Sequence, residues 1–152
     1  MRFKGLLVIL GALFLAACNP MANLEEGEAQ ITKFERLYSK GQDDALFAMT
    51  GEKWREVSSR EEFDDLLKVI NARLGKIVSS ERSNFNVNTF NGVTTTVIAM
   101  DTEFEQGKGT QVYTFQGGGE DMELVGWTVN SPRLIVTADD IADEGAEPQG
   151  AE

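Results

Sequence analysis

The spacing of apolar positions changes once along this chain, and that change divides its folded part in two. Over residues 28–40, Ile31, Phe34, Leu37 and Tyr38 recur at helical spacing. Acidic residues lead this segment, and Lys40 followed by Gly41 closes it, which predicts a helix. A second, shorter helix is predicted over 42–50, with Asp43 or Asp44 as its cap, residues 45–49 as its buried part and Gly51 as its stop. Trp54 and Val57 fall in the connection and are expected to plug the edge of the core. Ser59-Arg60-Glu61-Glu62 fits a capping box, in which serine and glutamate satisfy each other's exposed amides. Behind it Phe63, Leu66, Leu67, Ile70 and Leu74 form the clearest stripe in the chain, an amphipathic helix ending before Gly75.

After Gly75 the period becomes two. Phe85 and Val87 alternate with Asn84, Asn86 and Asn88, which predicts a long half-buried strand over 76–90. Asn91-Gly92 is a hairpin turn, because both residues tolerate positive φ. Residues 93–105 return as a strand rich in β-branched side chains. Gly107-Lys108-Gly109 turns the chain into a strand over 110–116, and Gly117-Gly118-Gly119 turns it again into one over 122–130. Pro132 ends that strand, and 133–136 is a candidate fifth, short edge piece. Helices first and hairpin strands second predict an α+β domain over 28–137, its helices packed on one face of a four-stranded antiparallel meander. Residues 138–152 carry six acidic side chains and one large apolar residue, Ile141, and are expected to be a disordered tail.

Upstream of the domain, Arg2 and Lys4 precede 13 apolar or small residues, 5–17, and then the only cysteine. A basic lead, a short apolar run and small residues before a cut describe a secretory signal. The run is shorter than the ~20 residues that span a bilayer. Its ending, Leu15-Ala16-Ala17-Cys18, closely resembles the lipobox of bacterial lipoproteins. The resemblance implies removal of a signal peptide at 1–17 and acylation of Cys18, which makes that residue a lipid anchor and not a catalyst. An ordinary signal peptide with an incidental cysteine, or a signal anchor, is the alternative. Residues 18–27 are then expected to be the lipidated cysteine and a short tether. Asn19, where aspartate would imply retention at the inner membrane, leans towards the outer membrane and a periplasm-facing domain.

Charge narrows the partners. The chain has 14 basic against 25 acidic residues, and loss of Arg2 and Lys4 takes its net charge from −11 to −13. That surplus argues against nucleic acid and against an electrostatic hold on anionic headgroups, so attachment to a membrane rests on lipid. With Cys18 acylated no thiol remains for a disulfide, and with no histidine the usual zinc ligand sets are missing.

In its middle the chain is similar to a family of small secreted bacterial domains of unknown function. The residues are Trp54, Arg73-Leu74-Gly75-Lys76-Ile77-Val78 leading to Arg82, Thr102-Glu103-Phe104, and Leu124-Val125-Gly126-Trp127-Thr128-Val129-Asn130. The resemblance covers 29–131 and implies a cystatin-like or nuclear-transport-factor-like cone fold. It brings no reaction, cofactor or metal with it.

Candidate chemistry is sparse. Asp101, Glu103 and Glu105 alternate, so they share one face of a strand, lining a pocket, binding a hard cation through their oxygens, or forming the solvated side of the sheet while Met100, Thr102 and Phe104 face the helices. Tyr38, Asp101 and Tyr113 are the available set for carboxylate–tyrosine acid–base catalysis, and nothing in their spacing requires them to meet. Gly107-Lys108-Gly109-Thr110 does not fit a phosphate-binding loop and reads as a turn. The expectation is a non-catalytic binding domain for an envelope protein or a small apolar ligand, with Trp127 and Phe115 as contacts if the sheet face is open and as core residues if it is not. A pocket enzyme of the cone type is the alternative.

Overall fold

The computed structural model describes residues 20–135; the signal segment, Cys18, Asn19 and the acidic tail at 138–152 lie outside the described residues. Helices α1 (Pro20–Ser39), α2 (Asp43–Ala48), α3 (Glu52–Val57) and α4 (Arg60–Leu74) precede strands β1 (Ile77–Phe90), β2 (Val93–Phe104), β3 (Gly107–Gln116) and β4 (Glu123–Asn130). The strands form one antiparallel meander in the order β1-β2-β3-β4, the expected α+β architecture.

The expected tether is corrected by α1, which already takes in the described residues from Pro20 onwards and buries Leu24. The buried stripe runs Leu24, Gly27, Ile31, Phe34, Leu37 and Tyr38, so the helical spacing continues upstream through a glycine. A Cβ on Gly27 would lie 2.6 Å from Ile98 Cδ1 and 3.5 Å from Phe115 Cε2. Gly27 is where α1 settles closest onto the sheet.

Helix α4 carries the capping box as expected: Ser59 Oγ accepts from the Glu62 amide, and the Glu62 carboxylate accepts from the Ser59 amide at 2.7 Å. Its buried stripe is Phe63, Leu67, Ile70 and Leu74, whereas Leu66 stays 39 % exposed at the rim. The connection holding Trp54 is itself the short helix α3. Trp54 packs edge-on to Phe63 at 5.9 Å, but Val57 is exposed and plugs nothing. Phe34 joins helix to sheet, with its ring edge-on to Tyr113 at 5.5 Å and tilted on Trp127 at 4.9 Å.

Asn91 (φ 50°) and Gly92 (φ 78°) form the two-residue hairpin turn between β1 and β2. Strand β1 is the free edge of the sheet, and its side chains are mostly exposed rather than half-buried, Phe85 included. At the other edge the Gly51 amide donates to the Leu124 carbonyl at 2.7 Å and Thr50 bridges Leu124, which covers part of β4. The candidate fifth strand is corrected too: Pro132–Leu134 is a single 3₁₀ turn, so the sheet of the described residues has four strands. Among those residues no helix is long and apolar enough to cross a membrane.

Candidate functional site

Two polar constellations stand out, one on each face of the sheet. On the helix side, alternation along β3 turns Gln111, Tyr113 and Phe115 inwards, and all three are buried. Gln111 is the hub. Its Oε1 accepts from Tyr113 Oη at 2.9 Å and from Trp127 Nε1 at 3.0 Å. Its Nε2 donates to Glu35 Oε1 at 3.0 Å and to Thr102 Oγ1 at 2.9 Å, and Thr102 meets Ser80 Oγ at 3.2 Å. Each of these buried groups has a partner, the condition under which polar atoms are tolerated in a core.

Glu35 brings the only carboxylate of this network, from α1. Burial raises its pKa above the ordinary glutamate value, and hydrogen bonds from Ser80, Gln111 and Tyr113 pull it partly back. Tyr113 is raised as well, first by burial and then by the nearby Glu35 carboxylate. Tyr38 is raised by burial and by Glu105 and Asp43, and its hydroxyl donates to the Gly75 carbonyl at 3.0 Å. A general acid or base needs a substrate proton within hydrogen-bond reach. Here the groups around Glu35 are the protein's own, and they brace α1 against the sheet.

Asp101 stands apart from both tyrosines. It is exposed on the opposite face of the sheet, where its carboxylate accepts from Thr110 Oγ1 at 3.1 Å. The triad of Tyr38, Asp101 and Tyr113 is therefore not brought together. Trp127 and Phe115 are 5 % and 1 % exposed and belong to the core, so neither is a contact on an open face. Sequence reasoning missed Glu35, although Gln111 at an inward position of β3 was a sign that a polar partner had to come from the helix packed above it.

The outer face of the sheet carries the second constellation. Glu81, Asp101, Glu103, Lys108 and Thr110 line an open groove of about 770 Å³ near the end where β1 starts and β2 ends. Antiparallel register sets Glu81 directly opposite Asp101, and Glu103 opposite Lys108. Like charges directly opposite each other on a sheet are destabilising, and Glu81 and Asp101 occupy such a position. Among the described residues no three acidic side chains are grouped to hold a metal ion.

Searches of family models, curated proteins and solved structures found no match to this chain.

Proposed function

We propose that this protein is a bacterial envelope lipoprotein, anchored through acyl chains on Cys18, whose domain binds a protein partner on the outer face of its sheet and performs no chemistry. The observation that carries the binding half is the Glu81–Asp101 cross-strand pair in an uncovered groove. Two carboxylates held side by side in water gain most from a basic segment laid across them, which relieves their repulsion and pairs both. Support for the anchor comes from the lipobox at 15–18 and from the net charge of −11, which leaves lipid as the means of membrane attachment. The periplasm-facing outer membrane is the proposed location.

One observation favours the enzyme alternative, the raised pKa of Glu35 beside Tyr113. Loss of the cellular phenotype in a folded, normally abundant Glu35→Gln variant would support it. The binding reading expects that variant to behave as wild type.

The test of the main reading uses the full-length protein in cells given a fatty-acid label. Wild type is expected to take up label and fractionate with membranes, and Cys18→Ser to lose both. After in-cell crosslinking, an Asp101→Lys/Glu103→Lys variant is expected to lose a specific protein adduct while keeping its label. Normal labelling of Cys18→Ser would overturn the anchor, and an adduct indifferent to charge reversal would overturn the groove.

A further inference from the structure

The tip of the β1–β2 hairpin lies at the end of the sheet nearer the described start of α1, and that tip carries no charge. In a chain with 26 % charged residues, positions 83–100 hold none, and they build the distal part of the hairpin around Asn91-Gly92. Phe90 and Val93 are cross-strand partners flanking that turn, and they are 73 % and 43 % exposed. Met21, one residue into α1, is 53 % exposed.

The path of α1 over the sheet sets which end of the domain faces the anchor. A Cβ on Gly118, beside the end of β3, would lie 3.0 Å from Asn23 Oδ1, whereas Gly27 packs on Ile98. Glu28 pairs with Arg82 at 2.6 Å, and Tyr38 at the far end of α1 reaches Gly75. The helix thus starts near the hairpin tip and runs towards the charged end. From Gly27 back to Pro20 it rises about 10 Å at 1.5 Å per residue. Two more residues lead to Cys18 and span at most about 7 Å. From Ile98 to Val93, β2 covers about 17 Å at 3.4 Å per residue. The chain between Pro20 and Cys18 is therefore short enough to keep the attachment residue close to the end of α1 that lies nearer the hairpin turn.

We infer that the Phe90-Asn91-Gly92-Val93 turn lies in the headgroup region of the bilayer that holds the anchor, with Phe90 and Val93 entering its acyl boundary. The inference rests on the lipoprotein reading, because two apolar side chains bind a membrane only when an anchor holds them beside it. The charged groups facing this end are Glu25 and Glu26 on α1, Glu120 and Asp121 in the β3–β4 turn, Glu123 on β4, and Lys53, whose Nζ donates to Gln116 Oε1, a mostly acidic set. They favour a zwitterionic surface over an anionic one. The arrangement aims the groove at Glu81 and Asp101, about nine residues or ~30 Å further along the strands, away from the bilayer.

The experiment places tryptophan at one end of β1 or the other in the full-length lipidated protein. Phe90→Trp and Val78→Trp are both surface positions, and native Trp54 and Trp127 are buried in the core. Each variant is reconstituted into phosphatidylcholine vesicles with brominated acyl chains, a short-range quencher, and recovered by flotation. The expected result is blue-shifted, quenched emission for Phe90→Trp and unquenched emission for Val78→Trp. Flotation with equal quenching of the two, or with none, overturns the inference and leaves the anchor standing. Failure to float, with the signal segment uncleaved by mass, overturns the anchor and the inference together.

Discussion

The two ends of this sheet are built from the same strands and differ in almost everything their outer face presents. At the hairpin end the outward positions of β1 and β2 are Asn86, Asn88, Phe90, Val93, Thr95 and Val97. At the other end they are Glu81, Asp101 and Glu103. The inward positions of β2 show no such divide, since Thr96, Ile98, Met100, Thr102 and Phe104 are all buried. Folding constrains one parity of a strand and leaves the other to function. In the proposed account one end meets lipid and the other meets a basic partner.

If that division is right, damage to the inward parity disturbs both ends, and changes on the outward parity stay local. The largest expected effect comes from Gln111→Leu, which strips partners from Trp127 Nε1, Tyr113 Oη and Glu35 at once. A loss of at least about 2 kcal/mol is expected in urea unfolding, because each buried polar atom left unpaired costs about 1–3 kcal/mol. A loss below 0.5 kcal/mol, on the order of a surface change, would mean the network braces nothing. Thr96 tests the same parity with opposite sign. Its Oγ1 is buried without a partner, so Thr96→Val is expected to stabilise by about 1 kcal/mol. Lower stability in that variant would show the hydroxyl to be satisfied in solution.

On the outward parity, Glu81→Lys replaces a like-charge pair with an opposite one across from Asp101. A gain of about 0.2–1 kcal/mol is expected at low salt, shrinking as salt is added. A loss would indicate that the two carboxylates are already compensated. The smallest effect is the pH dependence of Glu35. Because burial raises its folded pKa above the unfolded value, its contribution is fully present below the unfolded value and is lost as pH rises through the raised one. Glu62, lowered by the Ser59 backbone and hydroxyl, acts in the opposite sense, so native protein is compared with Glu35→Gln. The variant is expected to lose less stability than native protein between pH 4 and neutrality. Parallel melting curves across that range would remove Glu35 as the titrating group.

Much of this architecture was legible because local signals agreed. The capping box at Ser59, the Phe63–Leu74 stripe and the Asn91-Gly92 turn each carried a mechanism that tertiary packing had no reason to override. The solvated role of Asp101 and Glu103 followed from parity alone. The start of α1 was hidden by Gly27, which reads as a helix breaker although close packing on Ile98 requires it. The exposure of β1 depended on its being the sheet edge, and that of Leu66 on which helix flank meets the core; neither is a property of a local segment. Glu35 was invisible for a related reason, since a carboxylate beside a helix stripe gains meaning only from the Gln111 packed against it. The proposed acylation of Cys18 rests on its motif, and the residue lies outside the described residues.

The division between the two ends is tested most directly by placing a photo-crosslinking residue at position 103 or at position 90 of the full-length protein in living cells. The account predicts a discrete protein adduct from position 103, abolished by charge reversal at Glu81, and lipid adducts alone from position 90. A protein adduct from position 90 with none from position 103 would contradict it.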